Sequence, residues 1–112
     1  MTMKKNLIII LSVVVLAFSS CKKEPVRVAC VGDSITYGHG IKDRLHDAYP
    51  GVLSSMLGDK YDVRNFGVSG TTTMTGTDMP YMNEQAYKDA LEFNPQIVTI
   101  KLGTNDSKPY NW

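Results

Sequence analysis

The sequence predicts an α/β domain built around a parallel sheet, and two observations carry this prediction. Three short, mainly apolar segments, residues 26–31, 61–66 and 97–102, have the length and composition of buried strands. Two segments with apolar residues at helical spacing lie between them, at residues 51–57 and from 84 to about 93. Strands that alternate with helices favour a parallel sheet with helices packed on its faces.

The ends of these segments are marked by residues that stop or start regular structure. Gly58 is placed to end the first helix, Asn83 to cap the second, and Asn94-Pro95 to stop it. Polar, glycine-bearing loops follow all three strands. Because the carboxyl ends of parallel strands meet at one edge of a sheet, we expect these loops to form one site.

Residues 1–20 have the features of a secretory signal peptide. Lys4 and Lys5 form a basic start, and residues 7–18 are almost wholly apolar but too short to span a bilayer. The segment therefore predicts export from the cytoplasm.

The residues around Cys21 resemble the lipobox of bacterial lipoproteins, in which a cysteine after small residues is lipidated. Phe18 departs from that pattern, which usually has a small aliphatic residue there. We expect a lipid on Cys21, residues 21–25 as a polar tether, and an extracytoplasmic lipoprotein anchored to a membrane, at the outer membrane, the cell surface or in the periplasm. The alternative is ordinary signal cleavage that leaves a free Cys21.

Composition excludes several other classes of protein. The 12 Lys and Arg residues nearly balance the 11 Asp and Glu residues, so no nucleic-acid partner is expected. With two histidines and no phosphate-binding Gly-Lys loop, the chain is expected to use neither a metal nor a cofactor. Cys30 lies in an apolar run and is predicted to be a small buried side chain without a disulfide.

Ser34 is the candidate nucleophile, because it directly follows the first strand in the segment Gly32-Asp33-Ser34. A serine at that position can present its hydroxyl at the sheet edge, although a serine that merely caps a turn has the same pattern. The segment is not the Gly-x-Ser-x-Gly elbow of α/β-hydrolases, because Thr36 stands where that elbow has its second glycine.

Three loops taken together resemble a known family. Residues 31–36 (VGDSIT), 65–70 (NFGVSG) and 102–106 (LGTND) resemble, in order, the first three conserved blocks of the GDSL/SGNH hydrolases. The resemblance covers residues 26–112. It implies a flavodoxin-like, three-layer α/β/α fold with about five parallel strands, of which about three lie in this chain.

The resemblance also implies a role for each matching residue. Ser34 would attack an ester carbonyl, and the oxyanion would be held by the backbone N–H groups of Ser34 and Gly67 and the side-chain amide of Asn105. The family supplies the base from an Asp-x-x-His block near its C-terminus. The match Asp43 to His46 lies too early in the chain for that role, and His39 is expected to be a surface residue. We therefore predict that residues 26–112 are the N-terminal part of an SGNH hydrolase domain, inactive as written.

The resemblance leaves the substrate open. Residues 103–112 are most similar to family members that remove acetyl groups from carbohydrates, so a serine esterase that acts on acetyl esters of glycans through an acyl-serine intermediate is the leading interpretation. The alternatives are a lysophospholipase or general acyl esterase, a non-catalytic glycan-binding lipoprotein, and a structural lipoprotein. The expected partners are a small-molecule or glycan ester and the membrane.

Overall fold

The computed structural model describes residues 21–111, so the predicted signal peptide lies outside the described residues. The strands are β1 (Val26–Gly32), β2 (Tyr61–Gly67) and β3 (Ile97–Lys101). The helices are α1 (Ser34–Tyr37), α2 (Arg44–Asp47), α3 (Tyr49–Leu57) and α4 (Gln85–Glu92). Short 3-10 turns occupy Gly58–Lys60, Tyr81–Asn83 and Pro109–Asn111.

The three strands form one parallel sheet in the order β2-β1-β3. In its register Gly32 lies opposite Gly67 on one side and Lys101 on the other, so all three strands end at the same edge. The predicted α/β class and parallel sheet are confirmed.

The central strand β1 is the most buried element. Ala29 and Cys30 have no exposed surface and Val28 is 2% exposed, which is why this segment has to be apolar. Cys30 is buried and unpaired, as predicted for a small apolar side chain.

Helices pack on both faces of the sheet. Thr99, paired with Cys30, faces α3, where the Tyr49 hydroxyl lies 3.0 Å from Thr99 Oγ1 and burial raises the pKa of Tyr49. Val31 follows Cys30 and therefore faces the opposite side, where it packs with Tyr81 and with Ala90 of α4. The predicted three-layer arrangement follows from this alternation.

Tyr81 connects the long loop after β2 to the end of that strand. Its hydroxyl donates a hydrogen bond of 2.6 Å to the Phe66 carbonyl, and its side chain is 4% exposed. Burial, with a smaller contribution from Asp89, raises the pKa of Tyr81 to about 12, so the phenol stays protonated and keeps its role as donor.

The structure adds two helices to the predicted elements and moves the start of two others. The one-turn helices α1 and α2 are too short to produce a periodic pattern, and α3 begins at Tyr49 because a proline fits the first turn of a helix. Asn83 does not cap α4. Its backbone N–H closes a turn onto the Pro80 carbonyl, and Glu84 occupies the cap position instead.

Strand β3 lies at the edge of the sheet and exposes apolar side chains. Among residues 21–111 it pairs with β1 alone, and Val98 and Ile100 are 48% and 71% exposed. This edge of the sheet is therefore apolar and exposed within the described residues. None of the helices in residues 21–111 combines the length and apolar character that a bilayer span requires.

Gly32→Ala tests the close packing at the end of β1. An added Cβ would lie 2.1 Å from Thr36 Oγ1 and 2.6 Å from the Lys101 carbonyl oxygen, so the strand end and α1 would have to separate. We expect a loss of about 1 to 3 kcal/mol in the free energy of unfolding, measured by urea denaturation. Gly76→Ala is the control, because its Cβ would meet nothing within 4 Å. Equal stability of the two variants would contradict this packing.

Candidate active site

The loops after the three strands are joined by backbone hydrogen bonds at the sheet edge. The Asp33 N–H donates to the Lys101 carbonyl at 3.2 Å, and the Val68 N–H donates to the Gly32 carbonyl at 2.9 Å. The loop that carries Ser34 is thus held between the other two. The convergence predicted from the sequence is present in the backbone.

Ser34 is the first residue of α1 and is partly exposed. The preceding Asp33 is fully buried, and its carboxylate accepts a hydrogen bond of 3.1 Å from the Ile35 N–H, which fixes the start of the helix. Neither the hydroxyl nor the backbone N–H of Ser34 has a hydrogen-bond partner within residues 21–111. Both groups are available to a bound molecule.

Asn105 is the second predicted site residue that the fold holds in place. Its side chain is 7% exposed, and its Nδ2 donates a hydrogen bond of 3.0 Å to the Thr71 carbonyl. The backbone carbonyl of Asn105 accepts a 2.8 Å hydrogen bond from the side-chain amide of Asn111. Because a side-chain amide carries two N–H groups, one can orient Asn105 while the other points to a ligand.

Gly67, predicted from the sequence as an oxyanion donor, uses its backbone N–H within the fold. That N–H donates a 2.9 Å hydrogen bond to Asn65 Oδ1. A Cβ at this position would lie 2.3 Å from the backbone nitrogen of Tyr37. Glycine is therefore needed here because β2 and α1 touch backbone to backbone.

Gly70, which sequence reasoning passed over, has a backbone N–H without an acceptor among the described residues. Its φ of 86° lies in the left-handed region that favours glycine. It precedes Thr71, whose carbonyl accepts a hydrogen bond from the Asn105 side-chain amide. The signal was present in the sequence, since Gly70 closes the second family-like block.

Asp106, also not singled out from the sequence, anchors the loop beside Asn105. Its carboxylate is 8% exposed and accepts hydrogen bonds from the Thr73 N–H, at 2.9 and 3.0 Å, and the Met74 N–H, at 3.0 Å. Burial would raise the pKa of Asp106, but these N–H donors outweigh it and hold the pKa below its usual value. Asn105 and Asp106 together attach residues 71–74 to the end of β3.

Neither histidine side chain makes a hydrogen bond to Ser34 within the described residues. His46 Nδ1 lies 2.9 Å from Asp43 Oδ2 in an exposed pair, and the hydrogen bond from His46 lowers the pKa of Asp43. The His39 backbone N–H donates to the Ser34 carbonyl at 2.9 Å, while its side chain is exposed. Asp43 and His46, the Asp-x-x-His match, form a local hydrogen-bonded pair, and neither side chain makes a hydrogen bond to Ser34 within residues 21–111.

Acidic, histidine and cysteine side chains are not grouped for metal binding in this part of the chain. Residues 21–111 contain no cluster of three or more such side chains that could hold an ion.

Comparison with known proteins gives consistent matches. Residues 30–112 match the GDSL-like Lipase/Acylhydrolase family. An acetylxylan esterase from Xylanibacter ruminicola is 58% identical over 91 residues, which cover 81% of this chain and 19% of that protein. The chain thus spans about a fifth of the length of this relative.

Solved structures agree with the sequence matches. The esterase AlinE4, described as a member of the SGNH-hydrolase family, and a variant of it each superpose with a TM-score of 0.53 and 26% sequence identity. Each superposition covers 77% of this chain and 44% of the solved chain. The predicted fold class is confirmed by these neighbours.

Asp106→Asn tests whether the hydrogen bonds from the Thr73 and Met74 N–H groups to the Asp106 carboxylate stabilise the fold, because that contribution depends on pH. Because the folded-state pKa is lowered, the carboxylate stabilises the fold above the unfolded pKa of about 3.9, and this contribution is lost as pH falls through the folded value. We expect the variant to be about 1 to 2 kcal/mol less stable at pH 7.

The difference between the two proteins should shrink towards zero near pH 2, as measured by urea denaturation across this range. Asp59→Asn serves as the control, because Asp59 is exposed and its carboxylate makes no hydrogen bond within residues 21–111. A stability difference for Asp106→Asn that does not change with pH would contradict a stabilising role of the ionised Asp106 carboxylate.

Proposed function

The chain belongs to the GDSL-like lipase/acylhydrolase family, and from that premise we propose that the whole protein is a serine esterase that removes acetyl groups from carbohydrates. The observation that carries the proposal is the placement of Ser34. It starts a helix at the edge where three strands end, with its hydroxyl and its N–H both unengaged within residues 21–111, and with the loop that carries the Asn105 amide held next to it.

The proposed reaction proceeds through a covalent intermediate. Ser34 Oγ attacks the ester carbonyl and gives its proton to a base, which forms a tetrahedral oxyanion. The oxyanion collapses, the alcohol leaves with that proton, and an acyl-Ser34 ester remains. Water then attacks the acyl group with the help of the same base, releasing the acid and regenerating the Ser34 hydroxyl.

Three neutral donors would hold the oxyanion, namely the N–H groups of Ser34 and Gly70 and the second N–H of the Asn105 amide. Gly70 replaces Gly67 in this assignment, because the Gly67 N–H already donates to Asn65 whereas the Gly70 N–H has no acceptor among residues 21–111. Loss of one such donor typically costs about 3 kcal/mol of transition-state stabilisation.

The base is assigned to neither histidine of this chain. His46 is directed to Asp43, and the His39 side chain is exposed without a hydrogen bond to Ser34. The resemblance to the family assigns the base to an Asp-x-x-His segment of the whole protein, and this stays a prediction.

An acetylated carbohydrate is the proposed substrate class. It is supported by the 58% identity to a protein named acetylxylan esterase and by the sequence of residues 103–112. Release of acetate from acetylated xylo-oligosaccharides, with little turnover of lysophospholipid, would support it. The reverse preference would favour the lysophospholipase alternative, and binding of the glycan without acetate release would favour a binding protein.

The lipid anchor at Cys21 is part of the same proposal. Cys21 is exposed and lies in an irregular segment before β1, where an acyl group could be attached without disturbing the sheet. An extracytoplasmic, membrane-anchored esterase would meet glycans that do not enter the cell.

Ser34→Ala tests the nucleophile. Removing the hydroxyl eliminates the covalent path, so we expect hydrolysis of p-nitrophenyl acetate by the whole protein to fall by at least about 10³-fold. Labelling of the protein by a fluorophosphonate probe should disappear with it. His46→Gln is the matched control and should keep both activities, and Ser34→Ala with unchanged turnover would rule out the mechanism.

Cys21→Ser tests the anchor. In cells expressing the whole protein, we expect incorporation of an alkyne-tagged fatty acid to be lost and the protein to move from the membrane fraction to the soluble fraction. Cys30→Ser controls for cysteine labelling elsewhere, because Cys30 is buried. Labelling that persists in Cys21→Ser would exclude lipidation at this residue.

A further inference from the structure

We propose that Asn65 is a positioning residue that sets the distance between the nucleophile helix α1 and the loop carrying the oxyanion donors. The proposal rests on the proposed esterase function. It concerns a residue that acts through the backbone of α1 and β2.

The Asn65 side chain uses both ends of its amide. Nδ2 donates a 2.8 Å hydrogen bond to the Thr36 carbonyl and lies 3.5 Å from the Tyr37 carbonyl, while Oδ1 accepts the 2.9 Å hydrogen bond from the Gly67 N–H. One side chain therefore links the end of α1 to the end of β2.

Helix α1 needs such a partner because it is only one turn long. The last carbonyls of any helix lack partners within the helix, and a four-residue helix has few internal bonds to hold it. Gly38 closes the turn through its left-handed φ of 87°, but no other side chain in residues 21–111 donates to the Thr36 or Tyr37 carbonyls.

The contact between β2 and α1 is also so close that a movement of one backbone would displace the other. Gly67 lies against the Tyr37 nitrogen so closely that a Cβ would come within 2.3 Å of it. Gly70, the proposed oxyanion donor, lies three residues after Gly67 in the same segment. A change in how Asn65 holds Gly67 would therefore change where the Gly70 N–H lies relative to Ser34.

The experiment compares Asn65→Asp and Asn65→Ala with the wild-type whole protein, using p-nitrophenyl acetate from pH 4 to pH 8. In Asn65→Asp, one carboxylate oxygen can still accept the hydrogen bond from the Gly67 N–H. When the carboxylate is ionised, its other oxygen is an acceptor that faces the Thr36 carbonyl, so the hydrogen bond to that carbonyl is lost. At neutral pH we expect kcat to fall about 10- to 100-fold in both variants, with KM within about twofold of wild type, because misplacement affects the transition state more than ground-state binding.

Low pH separates the two variants. Once protonated, the carboxyl group of the Asn65→Asp variant can donate to the Thr36 carbonyl and still accept the Gly67 N–H, so the ratio of wild-type to variant kcat should shrink as pH approaches about 4. The ratio for Asn65→Ala should not change with pH. A merely destabilising substitution would give no such recovery. Asp62→Asn, an amide-for-carboxylate exchange on the same strand away from α1, is the control and should leave kcat unchanged.

Two outcomes overturn the proposal. Either kcat stays within about twofold of wild type in both variants, or it falls without recovery of Asn65→Asp at low pH. If the wild-type protein itself hydrolyses no ester, the esterase function fails separately, and hydrogen exchange then decides the positioning claim. Asn65→Ala must speed exchange at the Gly67 and Tyr37 amides relative to Asp62→Asn, and unchanged exchange there refutes it.

Discussion

Close approach of three polypeptide segments at the end of β1 determines the geometry of the site. Gly32 lies between the ends of β2 and β3, its carbonyl accepts the Val68 N–H, and the next residue donates to the Lys101 carbonyl. There is no space for a side chain at this point, because a Cβ would overlap Thr36 and the Lys101 carbonyl oxygen. The loops bearing the nucleophile and the proposed donors are thereby held within a few residues of one backbone position.

Two side-chain amides and one carboxylate hold the segments that follow the strand ends. Asn65 links β2 to α1, Asn105 links β3 to the loop after β2, and Asp106 holds the same loop through two backbone N–H groups. All three are short polar side chains that bond to backbone rather than to one another. Such contacts fix loops that have no regular structure of their own, while they leave the Ser34 hydroxyl free to react.

Much of this arrangement could be predicted from the sequence. Residues 26–31 were identifiable as a buried strand because they are apolar and end in a turn, and the positions of Ser34 and Asn105 directly after strands indicated a shared edge. The sequence does not decide between Gly67 and Gly70 as the oxyanion donor, because both glycines lie in one block and composition does not show which N–H is free. That distinction depends on Asn65, whose side chain folds back onto its own strand. The role of α1 could not be predicted, because a one-turn helix leaves no periodic pattern in the sequence. The role of Asp106 could not be predicted either, because a carboxylate that bonds to the backbone of another loop leaves no pattern of its own.

In the proposed mechanism the Ser34, Gly70 and Asn105 donors converge on one oxyanion. The most direct test is a crystal structure of the whole protein after reaction with a phosphonate that forms a covalent adduct on Ser34 and mimics the tetrahedral intermediate. We expect a phosphonyl oxygen within about 3.1 Å of the Ser34 nitrogen, the Gly70 nitrogen and Asn105 Nδ2. An adduct whose oxygen instead bonds to the Gly67 nitrogen, or points away from Asn105, would contradict this assignment.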